Sequence, residues 1–275
     1  MRIEMLPSPI RGLPQMDLDL RGQAVLITGG SQGIGLATAR AFAAEGCHLH
    51  LAARTESRLR EAQREITEKF GGRVEIHPID VGVGENARTL AHACSDVDIL
   101  VNNAGAVPGG SLEEVDEAHW RTAWNLKVLG YINLTREIYG VMAERGRGVI
   151  VNVIGTAGNI VPASYIVGVS GSASLVAFTQ ALGGMSLDRG VRVVGVSPGD
   201  VLNERGIGFL RQQAAETLGD PERWRERLAL QPGKRAATEE DIANTVVFLA
   251  SGRAGYISGE VLAVDGGLRW RQRVL

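Results

Sequence analysis

The run TGGSQGIG, residues 28–35, sets Gly29, Gly33 and Gly35 at G-x-x-x-G-x-G spacing, with Ser31, Gln32 and Ile34 between them. Residues this small let backbone N–H groups approach a pyrophosphate, and a helix opening in the same run adds the positive end of its dipole. Nineteen residues past Gly35, where an NAD-binding chain places a carboxylate against the ribose 2′-hydroxyl, the sequence reads LAARTESR, with Ala53 and then Arg54. A guanidinium there pairs with a 2′-phosphate, so NADP(H) is expected in preference to NAD(H). Further along, Asn125, Thr156, Ser164 and Tyr165 carry side chains able to hold or pass a proton. Tyr165 is the strongest acid–base candidate of these, and its competing role is that of a buried aromatic at a helix entry. Thr156 and Ser164 also suit turn or cap positions.

These residues need a scaffold, and the hydrophobic pattern supplies one. Short β-branched runs (AVLITGG, HLHLAAR, RVEIHPID, DVDILVNNAG, GVIVNVIG, VRVVGVSPG, GEVLAVDGG) alternate with segments of helical period such as GIGLATARAFAAEG and ESRLREAQREITEKF. That alternation predicts a single-domain, Rossmann-like α/β fold, a doubly wound parallel sheet of about seven strands with helices on both faces. Residues 1–16, which hold three prolines, are expected to form an irregular arm and residues 17–275 the nucleotide-binding domain. The stretch of about 202–235, rich in Arg, Glu and Gln, reads as an insertion of mobile helices able to act as a lid over the crevice.

Composition narrows the function classes. A net charge of -2 offers no basic excess for nucleic acid or an anionic membrane, and no stretch is expected to approach the roughly 18 apolar residues a membrane span needs. No nucleic-acid partner and no membrane association are expected. Glycine, 36 of 275 residues, is used heavily, as tight turns and close backbone approach to a ligand require. Cys47 and Cys94 read as two buried thiols, consistent with a reducing, cytoplasmic setting. Of the five histidines, His48 and His50 have a spacing that puts both on one strand face, but no cysteine or carboxylate cluster accompanies them, and no metal site is expected.

Taken in order, TGGSQGIG, the ID of residues 79–80, DILVNNAG, Asn125 in WNLKVLG, VSPGDV and GYISGEVLAVDGG closely resemble the short-chain dehydrogenase/reductase family over about residues 18 to 268. The resemblance implies that Asp80 and Val81 flank the adenine and that Asn103, Ala104 and Gly105 line the ribose side. It also implies that Pro198, Gly199 and Val201 hold the nicotinamide amide, with Asn203 standing where the family usually has threonine. A homo-oligomer, tetramer or dimer, is implied in the same way.

The family's catalytic set is another matter. Its members carry a serine, a tyrosine thirteen residues later and a lysine four further on; anchored on ASLVAFTQAL, those positions here are Gly155, Gly168 and Ser172. Asn125 alone matches the catalytic tetrad. Neither of the replacements at 168 and 172 can deliver a proton the way a tyrosine beside an ammonium does. The chain's three lysines, Lys69, Lys127 and Lys234, are all expected to lie away from the nicotinamide. The expectation is an NADP-dependent oxidoreductase with an atypical active site, a divergent member acting on a small or medium hydrophobic carbonyl, alcohol or activated alkene. Two alternatives fit the same residues: a non-catalytic or regulatory NADP(H)-binding protein, and a non-redox lyase or isomerase using the same cavity.

Overall fold

The structure, a computed structural model, describes residues 16–155 and 161–271. Most of the expected 1–16 arm, and Thr156, lie outside the described residues. The elements run β1 (Ala24–Thr28), α1 (Gly33–Ala44), β2 (His48–Ala53), α2 (Glu56–Phe70), β3 (Val74–Pro78), α3 (Gly84–Ala93) and β4 (Ile99–Asn102). Then follow α4 (Glu117–Trp124), a π-helical turn (Asn125–Leu129), α5 (Gly130–Glu144), β5 (Gly148–Val153), α6 (Ile166–Ser186) and β6 (Val191–Pro198). The chain closes with α7 (Glu204–Leu218), α8 (Trp224–Arg227), α9 (Glu239–Ala250) and β7 (Val261–Val264), with short 3-10 turns among these last elements.

All seven strands are parallel, in the order β3-β2-β1-β4-β5-β6-β7. The expected sheet is the observed one. Strands β4 and β6 are buried along their whole length, which is why ILV and VVGV within them read as continuous apolar runs rather than as alternations. One face of the sheet packs against α1, α2 and α9 through Phe42, Leu59, Ile66, Ile242 and Val246. The other packs against α3 and α5 through Leu90, Leu134, Ile138 and Met142, with α6 seated on β6 and on Tyr131 and Ile154. The order reverses between β1 and β4, and the crevice beyond their carboxyl ends is where a ligand belongs in such a sheet.

Two polar features fix this core. Asn102 of β4 donates to Thr135 Oγ1 (3.0 Å) and to Asn152 Oδ1 of β5 (2.9 Å), and Asn152 donates in turn to Thr179 Oγ1 of α6 (2.9 Å). This buried chain ties the carboxyl ends of two central strands to α5 and α6. Arg192 of β6, also buried, donates to the carbonyls of Leu249 (2.7 Å), Ala250 (3.1 Å) and Ser251 (2.9 Å). It thereby satisfies acceptors that the end of α9 leaves open.

One sequence expectation needs correction. Ile166–Arg189 is long and apolar enough by composition to cross a membrane. Its glycines and serines let it pack instead across β6 and against the π turn, as a core helix.

Candidate active site

The phosphate turn is shaped by what its glycines exclude. A Cβ on Gly35 would lie 2.1 Å from the Gly29 carbonyl oxygen, and one on Gly29 would lie 2.9 Å from Asn103 Nδ2. Gly29 and Gly33 both have positive φ, at 69° and 59°. A Cβ on Gly33, by contrast, would meet only a Glu239 carboxylate oxygen at 3.5 Å. The turn is therefore closed toward Asn103 and open outward, where helix α1 begins with no side chain capping its first N–H groups. A pyrophosphate fits that donor set. Ser31, Gln32 and Ile34 complete the turn, and Gln32 accepts from Arg58 of α2. Arg54 stands exposed just after β2, and the Gly29 N–H donates to Ala52 O (2.7 Å), holding the turn against that strand end. Two guanidiniums, Arg54 and Arg58, thus flank the same corner. Only the first was legible from spacing.

The remaining nucleotide candidates line the carboxyl edge of the sheet. Asp80 accepts the Gly82 N–H on Oδ1 (2.9 Å) and Val81 is buried, both just past β3. Asn103 receives no freedom at all: its N–H donates to Thr28 Oγ1 (2.9 Å) and its Nδ2 to Thr28 O (3.0 Å), locking β4 to β1, with Ala104 and Gly105 following. Pro198 ends β6, Gly199 donates to Val264 O (3.0 Å), and Val201 bridges to Ala237. Asn203 caps α7 by accepting the Gly206 N–H (2.9 Å).

Tyr165 is the residue just before α6, with φ −137° and ψ 36°, so the helix starts one position too late to include it. Its ring lies directly over Gly168: a Cβ there would be 2.0 Å from Tyr165 Cζ and 2.6 Å from its hydroxyl oxygen. The phenol occupies the space that a side chain at 168 would need. Three contacts keep it there. Arg205, in the first turn of α7, donates to the phenol oxygen (2.7 Å) and to Val107 O (3.1 Å); Phe209 packs edge-on with ring centroids 5.2 Å apart; and Gly110 donates to Ser164 O (2.7 Å), pinning the preceding loop. Burial raises the Tyr165 pKa, and the Arg205 charge and hydrogen bond pull against that. Gly155 and Ser172 lie close to one another, a Cβ on Gly155 being 3.6 Å from Ser172 Oγ.

Asn125 opens the π-helical turn and is itself exposed. The preceding Trp124 donates from Nε1 to Val167 O (3.2 Å), which holds the start of α6 against this turn. Two residues on, Lys127 reaches the carboxyl end of β5, where Nζ donates to Val153 O (3.2 Å) beside the Tyr131 hydroxyl, which donates to the same oxygen (2.9 Å). Its chain runs alongside Gly105, whose Cβ would be 3.1 Å from Lys127 Cδ. Desolvation, with a smaller push from Arg205, lowers the Lys127 pKa to about 7. The Tyr131 ring face, 5.3 Å from Nζ, and the Val153 carbonyl favour the charged form in return. Lys127 thus stands at the carboxyl end of β5, beside Gly105. In a regular helix residues two apart face opposite sides, and the widened π turn is the local departure at this spot. The one sequence signal was a lone cation inside an apolar run. Arg205 carried none, because its place depends on how α7 crosses the crevice.

Comparison with known proteins finds matches over nearly the whole chain. A family model described as enoyl-(acyl carrier protein) reductase matches residues 29–269. Galactitol 2-dehydrogenase (L-tagatose-forming) of Cereibacter sphaeroides is 33% identical over 253 residues, covering 90% of this chain and 95% of that protein. A 3-oxoacyl-(acyl-carrier-protein) reductase of Vibrio cholerae is 31% identical, covering 91% and 99%. Among solved structures, L-sorbose reductase of Gluconobacter frateurii, complexed with NADPH and L-sorbose, superposes with a TM-score of 0.83 at 34% identity, covering 94% of this chain and 100% of that one.

Proposed function

The chain belongs to the short-chain dehydrogenase/reductase family, and on that footing we propose that it is an NADP-dependent oxidoreductase whose proton is handled by Tyr165 in place of the family's tyrosine. Its substrates are small or medium hydrophobic carbonyls, alcohols or activated alkenes. The observation that carries this reading is the phenol seated over Gly168 and hydrogen-bonded to Arg205.

NADPH, when bound, would supply the hydride. The phosphate turn would hold its pyrophosphate through backbone N–H groups, and Arg54 with Arg58 would favour a 2′-phosphate over a free hydroxyl. Two similar proteins support both halves: L-sorbose reductase, complexed with NADPH, and a 3-oxoacyl-(acyl-carrier-protein) reductase. The chain's own contribution is the proton. Tyr165 donates from its hydroxyl to the substrate oxygen or carbon, and the Arg205 charge stabilises the phenolate left behind. Lys127 offers a second exchangeable proton beside Gly105, in a charge state that changes near neutrality.

The lid role of residues 202–235, a homo-oligomeric state and a cytoplasmic location belong to the same proposal. Arg205 and Phe209 of α7, both on Tyr165, support the first. Exposed Val141, Met185 and Leu262 on α5, α6 and β7 support the second. Free, buried Cys47 and Cys94 accord with the third.

The deciding experiment follows NADPH consumption against a panel of ketones and enones. Tyr165→Phe is expected to lose about 10²- to 10⁴-fold in turnover with NADPH binding intact. Turnover indifferent to that change overturns the proposal.

A further inference from the structure

On the β2–β3 edge of the sheet three potential ligands that sequence reading kept apart come together. The register pairs His50 with Glu75 and Ala52 with His77, so His50, Glu75 and His77 share one face of the two strands. Helix α3 covers that face, and Cys94 is its C-cap residue. His50 Nδ1 lies 3.1 Å from His77 Nε2, and Cys94 Sγ lies 3.5 Å from the same His77 nitrogen. All three ligand atoms fall within 4.8 Å of one another, and Glu75 Oε2 stands 3.9 Å from His50 Nδ1.

We infer that His50, His77 and Cys94 form a binding site for a divalent transition cation of the zinc class, with Glu75 as the nearest candidate for a fourth ligand. For metal–N bonds of about 2.0–2.1 Å and a metal–S bond of about 2.3 Å, a tetrahedron has N···N edges of about 3.3 Å and N···S edges of about 3.6 Å. The His50–His77 edge of 3.1 Å and the His77–Cys94 edge of 3.5 Å are close to those lengths, and the third, within 4.8 Å, has to shorten on binding. The donor set, two imidazoles, one thiol and one carboxylate, suits zinc or cobalt and not the all-oxygen sites of calcium or magnesium. Cys94 and His50 are buried while His77 and Glu75 reach the surface at the edge strand, which gives an ion its way in. Binding replaces the thiol S–H by a metal–S bond, and the proton leaves to solvent. None of these residues belongs to the nucleotide crevice. The ion would join β2 and β3 to α3, the elements on either side of Asp80 and Val81.

A hydrogen-bonded His–His–thiol chain gives the same contacts without a metal, and a cobalt titration separates the two. Co²⁺ added to the reduced, metal-stripped, untagged full chain should produce visible d–d bands of a tetrahedral site and a near-ultraviolet thiolate charge-transfer band, saturating at about one equivalent and displaced by Zn²⁺. Cys94→Ser should abolish the charge-transfer band and weaken Zn²⁺ binding by about 100-fold or more, and His77→Gln should remove the tetrahedral bands. Wild-type protein that shows no thiolate band at saturating Co²⁺ overturns the assignment, whether or not the variants fold. So does a band that survives in folded Cys94→Ser.

Discussion

Arg205 Nη2 donates to the phenol oxygen of Tyr165 across 2.7 Å, joining the first turn of α7 to the residue that opens α6. The bond has two ends with different jobs. At one end it opposes the rise that burial gives the phenol pKa, and at the other it ties α7 to Tyr165.

Arg205→Gln therefore moves two observables together. Burial raises the Tyr165 pKa and Arg205 lowers it, so removing the guanidinium raises it further. The limb of the pH profile for alcohol oxidation that depends on phenolate should move to higher pH, and kcat should fall by about tenfold or more. A pH profile of kcat/KM that stays in place would separate Arg205 from the proton.

Lys127 titrates with a sign that can be checked by unfolding. Its folded pKa is about 7 against an ordinary 10.5, so between those values the unfolded chain binds a proton that the folded chain does not. Stability from this group rises as pH goes from about 7 to about 10.5 and is lowest below 7, where the folded state must bury the charge. Lys127→Met should accordingly gain most relative to wild type at pH 6, and the gain should shrink by pH 10. Urea denaturation of both proteins at the two pH values reads it.

Cofactor choice rests on the corner beside Ala52. Wild-type protein should bind NADPH more tightly than NADH, and Arg54→Glu should reverse the order, since a carboxylate repels a 2′-phosphate and accepts from a 2′-hydroxyl. Fluorescence titration with each cofactor measures both constants. Equal constants in the wild type would remove the role given to Arg54.

Arg192 is a structural cation held by backbone carbonyls. It answers three carbonyls at the end of α9 with bonds of 2.7 to 3.1 Å. Arg192→Leu keeps apolar bulk but strands those acceptors inside the protein, and should cost about 2–4 kcal/mol. The denaturation midpoint should drop with little change in the slope.

Much of this was legible in the residue pattern, and the rest was hidden for definable reasons. Strands that alternate with helical periods, and a glycine turn after the first of them, are local signals. The seven-strand sheet and the turn at Gly29–Gly35 were read from those alone. Tyr165 was found because it lies close to the helix start in sequence. The place of Lys127 at the end of β5 was not legible because a π turn is a backbone event that no residue in NLKVL announces. Arg205, His77 and Cys94 each meet their partners through the crossing of α7 or the register of β2 on β3. Those relationships join segments far apart in the chain, and periodicity carries no information about them.

Gly168 has a consequence for the order in which substitutions can accumulate. Tyr165 holds its place only while residue 168 has no side chain, since even a methyl group there would meet the ring at 2.0 Å. The two positions are rivals for one volume. A mutant library that introduces any larger residue at 168 first evicts the phenol from Arg205, and an activity that depends on that phenol disappears before anything can replace it. A tyrosine at 168 has to displace the Tyr165 ring, so an activity that rests on the phenol would make the two sites show sign epistasis, the value of each change depending on which came before.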